Sequence, residues 1–459
     1  MQVSPPSPPS SRGPLIVLGV ALLLIAGGLV ASTLWIVGQF NAPRATLTIS
    51  NTPTTPTAPI ASTAAITSTT SINRLAVIDG DRIYTVDPDG RNLISFDPQG
   101  SVPTASLIWS RDGARLMYSY SAGTQSRLIS TQPDGGDQRV LAEADQTSVP
   151  FYLYGSPDDA HVAFLISDKT NSLDLRVADT DRANSDRSIV HGAPNYASWS
   201  PDGQSLLLHV GGTTAQAFVG TYHLGDDRPR PIENEPAQFQ TPVWSPTGSA
   251  QWLYARARQD TNDLIISDGQ KENKLASFDN SITFSWSPDG SHIAYALNSP
   301  GSFLFEALTV TDNEGRQSRV YHQGDLMAFF WSPDGSKLAY LTGALVERGP
   351  VGRAGGGLAA PPLKQAPPSL QLTWHVIDLK SDQIINLNTF EPTDSFVYLI
   401  QYFDQFAQSI AVWSPDSRSL VYTGTPLVGK SGVYVIDTQA ANAEPFYVGP
   451  GDFAIWSWR

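Results

Sequence analysis

The chain has 459 residues, no cysteine and a formal net charge of −14, from 43 acidic and 29 basic side chains. The lack of cysteine excludes disulfides, thiolate metal sites and lipid attachment through an N-terminal Cys. Acidic charge spread along the chain, without a basic stripe, argues against nucleic acid as a partner and reads as solubility.

Residues 1–13 form a short polar tail, expected in the cytoplasm. Residues 14–38 contain Leu15 to Val37, a run of 23 residues with no charged side chain. At helical rise such a run is about 35 Å long, enough to span a bilayer as a single transmembrane helix. A cleaved signal peptide is the rival reading, with small residues at Val30-Ala31-Ser32. The apolar run continues past them to Trp35 and Val37, which fits an uncleaved signal anchor better. Arg12 before the run and Arg44 after it leave the charge rule for orientation little to act on. Residues 39–72 are rich in Thr, Pro, Ser and Ala and cannot bury a core, so they read as a disordered stalk. A stalk of this composition places the following domain, 73–459, on the extracytoplasmic side of the cell membrane.

That domain is built on a repeat. Its copies are Trp109-Ser-Arg-Asp-Gly113, Trp199-Ser-Pro-Asp-Gly203, Trp244-Ser-Pro-Thr-Gly248, Trp286-Ser-Pro-Asp-Gly290, Trp331-Ser-Pro-Asp-Gly335 and Trp413-Ser-Pro-Asp-Ser417. Gly155-Ser-Pro-Asp-Asp159 is a copy without its Trp, and Trp456-Ser457 is a partial last one. In each copy a short apolar stretch runs into the Trp, and Pro-Asp-Gly makes a tight turn. A second strand such as Ile293-Ala-Tyr295 follows, then a third such as Leu264-Ile-Ile-Ser-Asp268, then a polar turn and a fourth. Four short strands at about 45-residue spacing are the signature of propeller blades. A Trp at a fixed repeat position is packing between blades, and the Asp of each turn is explained by turn chemistry as well as by calcium binding. Trp109, Trp199, Trp244, Trp286, Trp331, Trp413 and Trp456 are therefore read as structural.

The pattern W-S-P-D-G-x-x-[IL]-A-[YF] resembles the TolB-type, WD-like β-propeller repeat and covers Asn73 to Arg459. The resemblance implies the fold and no single function, because that family includes periplasmic scaffolds and the propellers of prolyl-oligopeptidase-like enzymes. No α/β domain is read ahead of the propeller, so the role of TolB itself is not implied.

The domain starts inside a blade: Arg74-Leu-Ala-Val-Ile78 matches a second strand, and Phe453-Ala-Ile-Trp456 supplies the missing first strand at the other end. Sharing one blade between both ends closes the ring and removes sheet edges. The expected fold is all-β, a closed eight-bladed propeller, with seven blades the alternative if the Gly155 copy forms none. Two insertions stand out, near 346–369 and 389–408. The first is a flexible second-to-third loop and the second a blade-to-blade link. Both fall on the face opposite the Pro-Asp-Gly turns. The stalk joins the turn face at Arg74, so the inserted face should point away from the membrane. The second insertion carries Phe390, Phe396, Tyr398, Tyr402, Phe403 and Phe406, a candidate aromatic binding face.

Chemistry is sparse. Gly424-Thr-Pro-Leu-Val-Gly429-Lys430-Ser431 fits the phosphate-loop expression, but that motif needs a following helix. Here extended chain is expected after the Lys, so no nucleotide is assigned. No nucleophile elbow or His-Glu-x-x-His occurs, no catalytic, metal or cofactor residue is assigned, and the chain is not read as an enzyme. The resulting expectation is a membrane-anchored binding or scaffolding propeller for protein, peptide or cell-envelope polymer. The alternative is a propeller-type hydrolase or lyase acting on carbohydrate or peptide at the channel mouth. That alternative predicts paired carboxylates, or a His with a carboxylate, converging at one channel end.

Overall fold

The computed structural model describes residues 73–167, 172–248, 250–298, 304–347, 350–351, 364–365 and 368–459. The expected tail, transmembrane helix and stalk, and most of the insertion at 346–369, lie outside the described residues. Among the described residues no helix is long and apolar enough to cross a membrane.

The described chain is almost entirely antiparallel sheet. Each copy of the repeat starts a set of consecutive hairpins, and five of these sets are separate four-stranded sheets. One consists of Leu107–Trp109, Leu116–Ala122, Gln125–Thr131 and Arg139–Asp145. The copy that lacks its Trp forms an equivalent sheet from Phe151–Gly155, His161–Ser167, Leu173–Asp179 and Arg187–His191. Sheets beginning at Asn195–Trp199 and Val243–Trp244 follow the same plan. In the fifth, Leu75–Asp79 pairs with Phe453–Trp456, register Leu75 to Trp456, so both ends of the described chain share one sheet. The remaining repeats run through a ten-stranded sheet. Two long strands hold it together. Ser318–Trp331 pairs along its first part with Phe305–Asp312 and along its second with Lys337–Val346. Gln383–Pro392 likewise pairs first with Ser369–Asp378 and then with Ser419–Pro426.

Residue choice explains the order of strands within a sheet. Second strands are apolar on both faces, as in Leu206-Leu207-Leu208, because a neighbouring sheet covers each side. Outermost strands such as Glu272–Phe278 are polar and largely exposed. The connection between first and second strands is the same hydrogen-bonded turn in copy after copy. Ser110, Ser156, Ser200, Ser287, Ser332 and Ser414 each donate Oγ–H to the carboxylate two residues on, at 2.5 to 2.7 Å. The same carboxylates accept a backbone N–H two residues further along, as Asp289 does from Ser291. Turn chemistry therefore engages the Asp of each copy that carries one. The glycine that follows is needed for a second reason besides its positive φ. A Cβ on Gly203 would lie 2.5 Å from the Asp158 carboxylate of the preceding sheet, and one on Gly335 would lie 2.7 Å from Asp289.

Candidate functional site

The chain's own residues 393–410 lie against the innermost strands of several repeats. This segment interrupts a strand position. Phe390–Pro392 pairs with one end of Ser419–Pro426, and Trp413 bridges to Leu420 at the other end. Between them the chain leaves the sheet and forms two helices, α1 (Asp394–Gln401) and α2 (Phe403–Phe406). Thr393 caps α1: its Oγ1 accepts from the Phe396 backbone N–H, and Asp394 adds negative charge in the first turn. Phe396, Leu399 and Ile400 lie on one face and are buried. The two helices pack on Phe151–Gly155, Asn195–Trp199, Ser281–Trp286 and Ser318–Trp331, which are first strands of different repeats.

At the start of the segment, Thr393 Oγ1 donates to the Asp452 carbonyl, just ahead of the closing strand. At its end, the Gln408 side chain accepts from the Trp199 backbone N–H at 3.0 Å, and the Gln408 carbonyl accepts from the Arg111 guanidinium. Trp199 and Arg111 belong to the Ser-Pro-Asp-Gly turn end of their sheets. The link expected on the opposite face thus threads toward the turn face as a plug.

This arrangement corrects the expected aromatic binding face. Phe390, Phe396, Phe403 and Phe406 are 0, 3, 4 and 2% exposed, and Tyr398 and Tyr402 are half-buried. Phe403 packs edge-on against Phe329 at 4.9 Å between ring centroids and meets Phe330 at 5.8 Å. Tyr152 gathers Phe406, Tyr402 and Tyr398 at 5.0, 5.7 and 6.3 Å. Phe396 lies against Phe390 at 5.6 Å. Aromatic residues in a long insertion are legible from sequence, but whether they face solvent or a central space depends on where the chain turns at Thr393. Large rings are used here because a ring of inner strands leaves a volume that must be filled to interior density.

One charge is carried into the plug. Asp404 is buried; its Oδ2 accepts from Thr283 Oγ1 at 3.1 Å and its Oδ1 from the Gln405 N–H at 2.9 Å. Burial pushes its carboxyl up to about 6, with the hydrogen bonds limiting the rise. Tyr154 and Tyr196, close to it, are raised by desolvation as well. Nothing in the spacing of the insertion singled out Asp404, since it lies between aromatic residues without any motif.

The repeat tryptophans sit between sheets. Trp109, Trp199, Trp413 and Trp456 are fully buried, Trp286 nearly so, and Trp244 and Trp331 half-buried. The indoles of Trp199 and Trp413 donate to the carbonyls of Tyr154 and Phe330, each on the first strand of the preceding repeat, at 2.9 Å. The phosphate-loop-like stretch is a hairpin: Ser419–Pro426 pairs with Gly432–Asp437, and Lys430 lies over the Tyr447 ring at 3.8 Å. A His–carboxylate pair, His322 with Asp325 at 3.0 Å, lies where strand Ser318–Trp331 changes partner, against Tyr340. Among the described residues no group of three or more His, Cys, Asp and Glu is placed to hold a metal ion.

The repeat, its four-stranded antiparallel sheets and the sheet shared by both ends are those of a TolB-like β-propeller. The fold is TolB-like. Solved structures similar to this propeller include TolB from Acinetobacter baumannii, 16% identical with a TM-score of 0.36, covering 55% of this chain and 64% of that one. They also include oligogalacturonate lyase from Vibrio parahaemolyticus, 12% identical with a TM-score of 0.44, covering 80% and 98%. A eukaryotic initiation factor is 12% identical with a TM-score of 0.47, covering 84% and 99%. The chain spans less than two thirds of the Acinetobacter TolB chain. No family model matches the sequence, and no curated protein matches it. At these identities the likeness concerns the fold alone, and it carries no activity.

Proposed function

We propose that the chain is a membrane-anchored, extracytoplasmic, eight-bladed propeller that binds a protein, peptide or cell-envelope polymer on its faces. The count follows from dividing the ten-stranded sheet at the two strands that change partner. This gives three blades, which join the five separate sheets. The Gly155 copy is one of those five, which supports eight over seven. The anchor rests on the uncharged run Leu15 to Val37, and the outward placement on the Thr/Pro/Ser-rich residues that follow.

The observation that carries the binding role is the plug. A propeller hydrolase or lyase needs reacting groups convergent at an open channel mouth. Here the central space holds aromatic rings and the amides of Gln405 and Gln408, and the one buried carboxylate of the plug, Asp404, is engaged by protein donors. Binding then falls to the rims and flanks of the ring. The test is affinity capture with the tagged full-length chain, solubilised in mild detergent, from cell-envelope and secreted fractions. A defined partner recovered at constant stoichiometry is expected. Failure to retain any component across these fractions, together with turnover of oligosaccharide or peptide substrates, would overturn the binding role in favour of catalysis.

A further inference from the structure

Eight copies of the repeat reach the position after the turn serine, and six of them carry Pro there: Pro157, Pro201, Pro246, Pro288, Pro333 and Pro415. The two departures are Arg111 and Trp458. They lie on neighbouring sheets, and the structure sets them against each other, with the Arg111 guanidinium 3.6 Å from the centre of the Trp458 ring. A third departure meets them. Asp159 stands where five other copies have Gly, at φ 60°, and its carboxylate accepts the backbone N–H groups of Arg111 and Asp112. Three departures from the repeat thus meet at one place on the turn face, beside the end of the plug; Gly155, Thr247 and Ser417 are further departures. Departures that touch one another mark a functional place better than any single unusual residue.

Arg111 feels the opposite charge of Asp159 without contacting its carboxylate directly through the guanidinium. Arg111 donates to the Gln408 carbonyl, a neutral acceptor, and forms no ion pair among the described residues. The Asp159 carboxylate is hydrogen-bonded to backbone N–H groups. Desolvation lowers the guanidinium to about 10, against the pull of Asp159. Beside Trp458, the Arg74 N–H donates to Ser457 Oγ at 3.0 Å and the Ser457 N–H to the Arg74 carbonyl. Residues 1–72 contain no Asp or Glu, so no side chain of that segment is a carboxylate partner for Arg111. Arg111 and Trp458 are both half-buried, and the equivalent prolines are mostly exposed.

We propose that Arg111 and Trp458 form a carboxylate-binding site at the turn-face mouth of the propeller, taking an acidic side chain of a peptide partner. The guanidinium supplies the paired N–H donors that match a carboxylate, and the indole covers one face of that pair and shields it from water. The site rests on the binding role above and gives it a residue-level address.

The experiment uses the full-length chain in zwitterionic micelles, with the Trp458 indole N–H resonance assigned through Trp458→Phe. The probe is the capped peptide acetyl-Gly-Glu-Gly-amide, with acetyl-Gly-Gln-Gly-amide as control at matched ionic strength. The glutamate peptide is expected to shift the Trp458 resonance saturably, and the glutamine peptide to bind roughly tenfold or more weakly. Arg111→Pro, which installs the residue that six other copies carry, and Arg111→Gln should both abolish the shift. No saturable shift at millimolar glutamate peptide, an equal response to both peptides, or a shift that survives in a folded Arg111→Gln chain would each overturn the site. Partner capture unchanged by Arg111→Gln would also remove the site while leaving the binding role standing. Loss of capture in the unsubstituted chain would instead count against the role itself.

Discussion

At the scale of single residues, Asp404 links burial to pH. Its ordinary value of 3.8 rises to about 6 in the folded chain, mainly through desolvation. Below pH 4 the carboxyl is protonated in both folded and unfolded chain and costs nothing. Between about pH 4 and 6 the unfolded chain releases the proton while the folded one keeps it, so stability falls as pH rises. Above pH 6 the penalty is complete, on the order of 3 kcal/mol. Asp404→Asn should therefore stabilise the protein by about 1–3 kcal/mol at pH 7.5, and should remove the decline between pH 4 and 6. Denaturant midpoints across pH check this, and an unchanged pH profile in the Asn chain would contradict it. Trp199 makes a second case. Its indole packs between sheets and donates to the Tyr154 carbonyl. Trp199→Ala should cost about 3–5 kcal/mol through the cavity it leaves. Trp199→Phe, which keeps much of the ring but orphans the carbonyl, should cost only about 1–3 kcal/mol. Equal costs for the two would show that packing is not the main contribution.

Among the elements, the plug is the one whose role the structure changes most. α2 is a single turn, too short to hold itself as a helix, and exists because Phe403 and Phe406 are clamped by rings from Phe329, Phe330 and Tyr152. Phe403→Ala should destabilise the domain by about 3–5 kcal/mol. It should also expose residues 393–410 to proteolysis ahead of the sheets, as the weakest-held segment near the centre. Mass spectrometry of the first cleavage products tests this, and first cuts confined to the sheet connections would count against the plug as a separable element. The turns carry less each. Asp289→Ala removes an acceptor for Ser287, Ser291 and the Ser291 N–H, and should cost about 1–2 kcal/mol in thermal melts.

For the molecule as a whole, the sheet shared by Leu75–Asp79 and Phe453–Trp456 decides cooperativity. It joins the two ends of the described chain through four paired residues, and Trp456 also bridges to Ala411 beyond the plug. Removing residues 453–459 would uncover the edge of Leu75–Asp79 and the flank of the neighbouring sheet together, leaving unpaired strand edges. The truncated chain should lose its single melting transition and self-associate, as read by calorimetry and light scattering. A sharp, unshifted transition would show that the ring does not depend on this sheet. At the same scale, replacing Leu22, Leu23 and Leu24 by Lys should release the chain from membranes into the soluble fraction if residues 14–38 are its anchor.

What the sequence determined by itself is periodic or local. The spacing of Trp109, Trp199, Trp244, Trp286, Trp331 and Trp413 sets the repeat, each Ser-Pro-Asp-Gly writes its own turn, and the match of Arg74–Ile78 to Phe453–Trp456 shows how the ends meet. These features repeat because every sheet solves the same packing problem with the same residues, and hydrogen bonds within a few positions complete each turn. The insertion at 389–408 was visible as aromatic but not as buried. Its destination depends on contacts with strands more than a hundred residues away, such as Thr283 with Asp404 and Trp199 with Gln408. The meeting of Arg111, Asp159 and Trp458 was equally hidden. Each is a visible exception to the repeat, but only closure of the chain on itself brings residue 458 against residue 111. Tertiary structure decided these places because a charge or an aromatic ring acquires its role from what surrounds it, and the surroundings here come from distant parts of the chain.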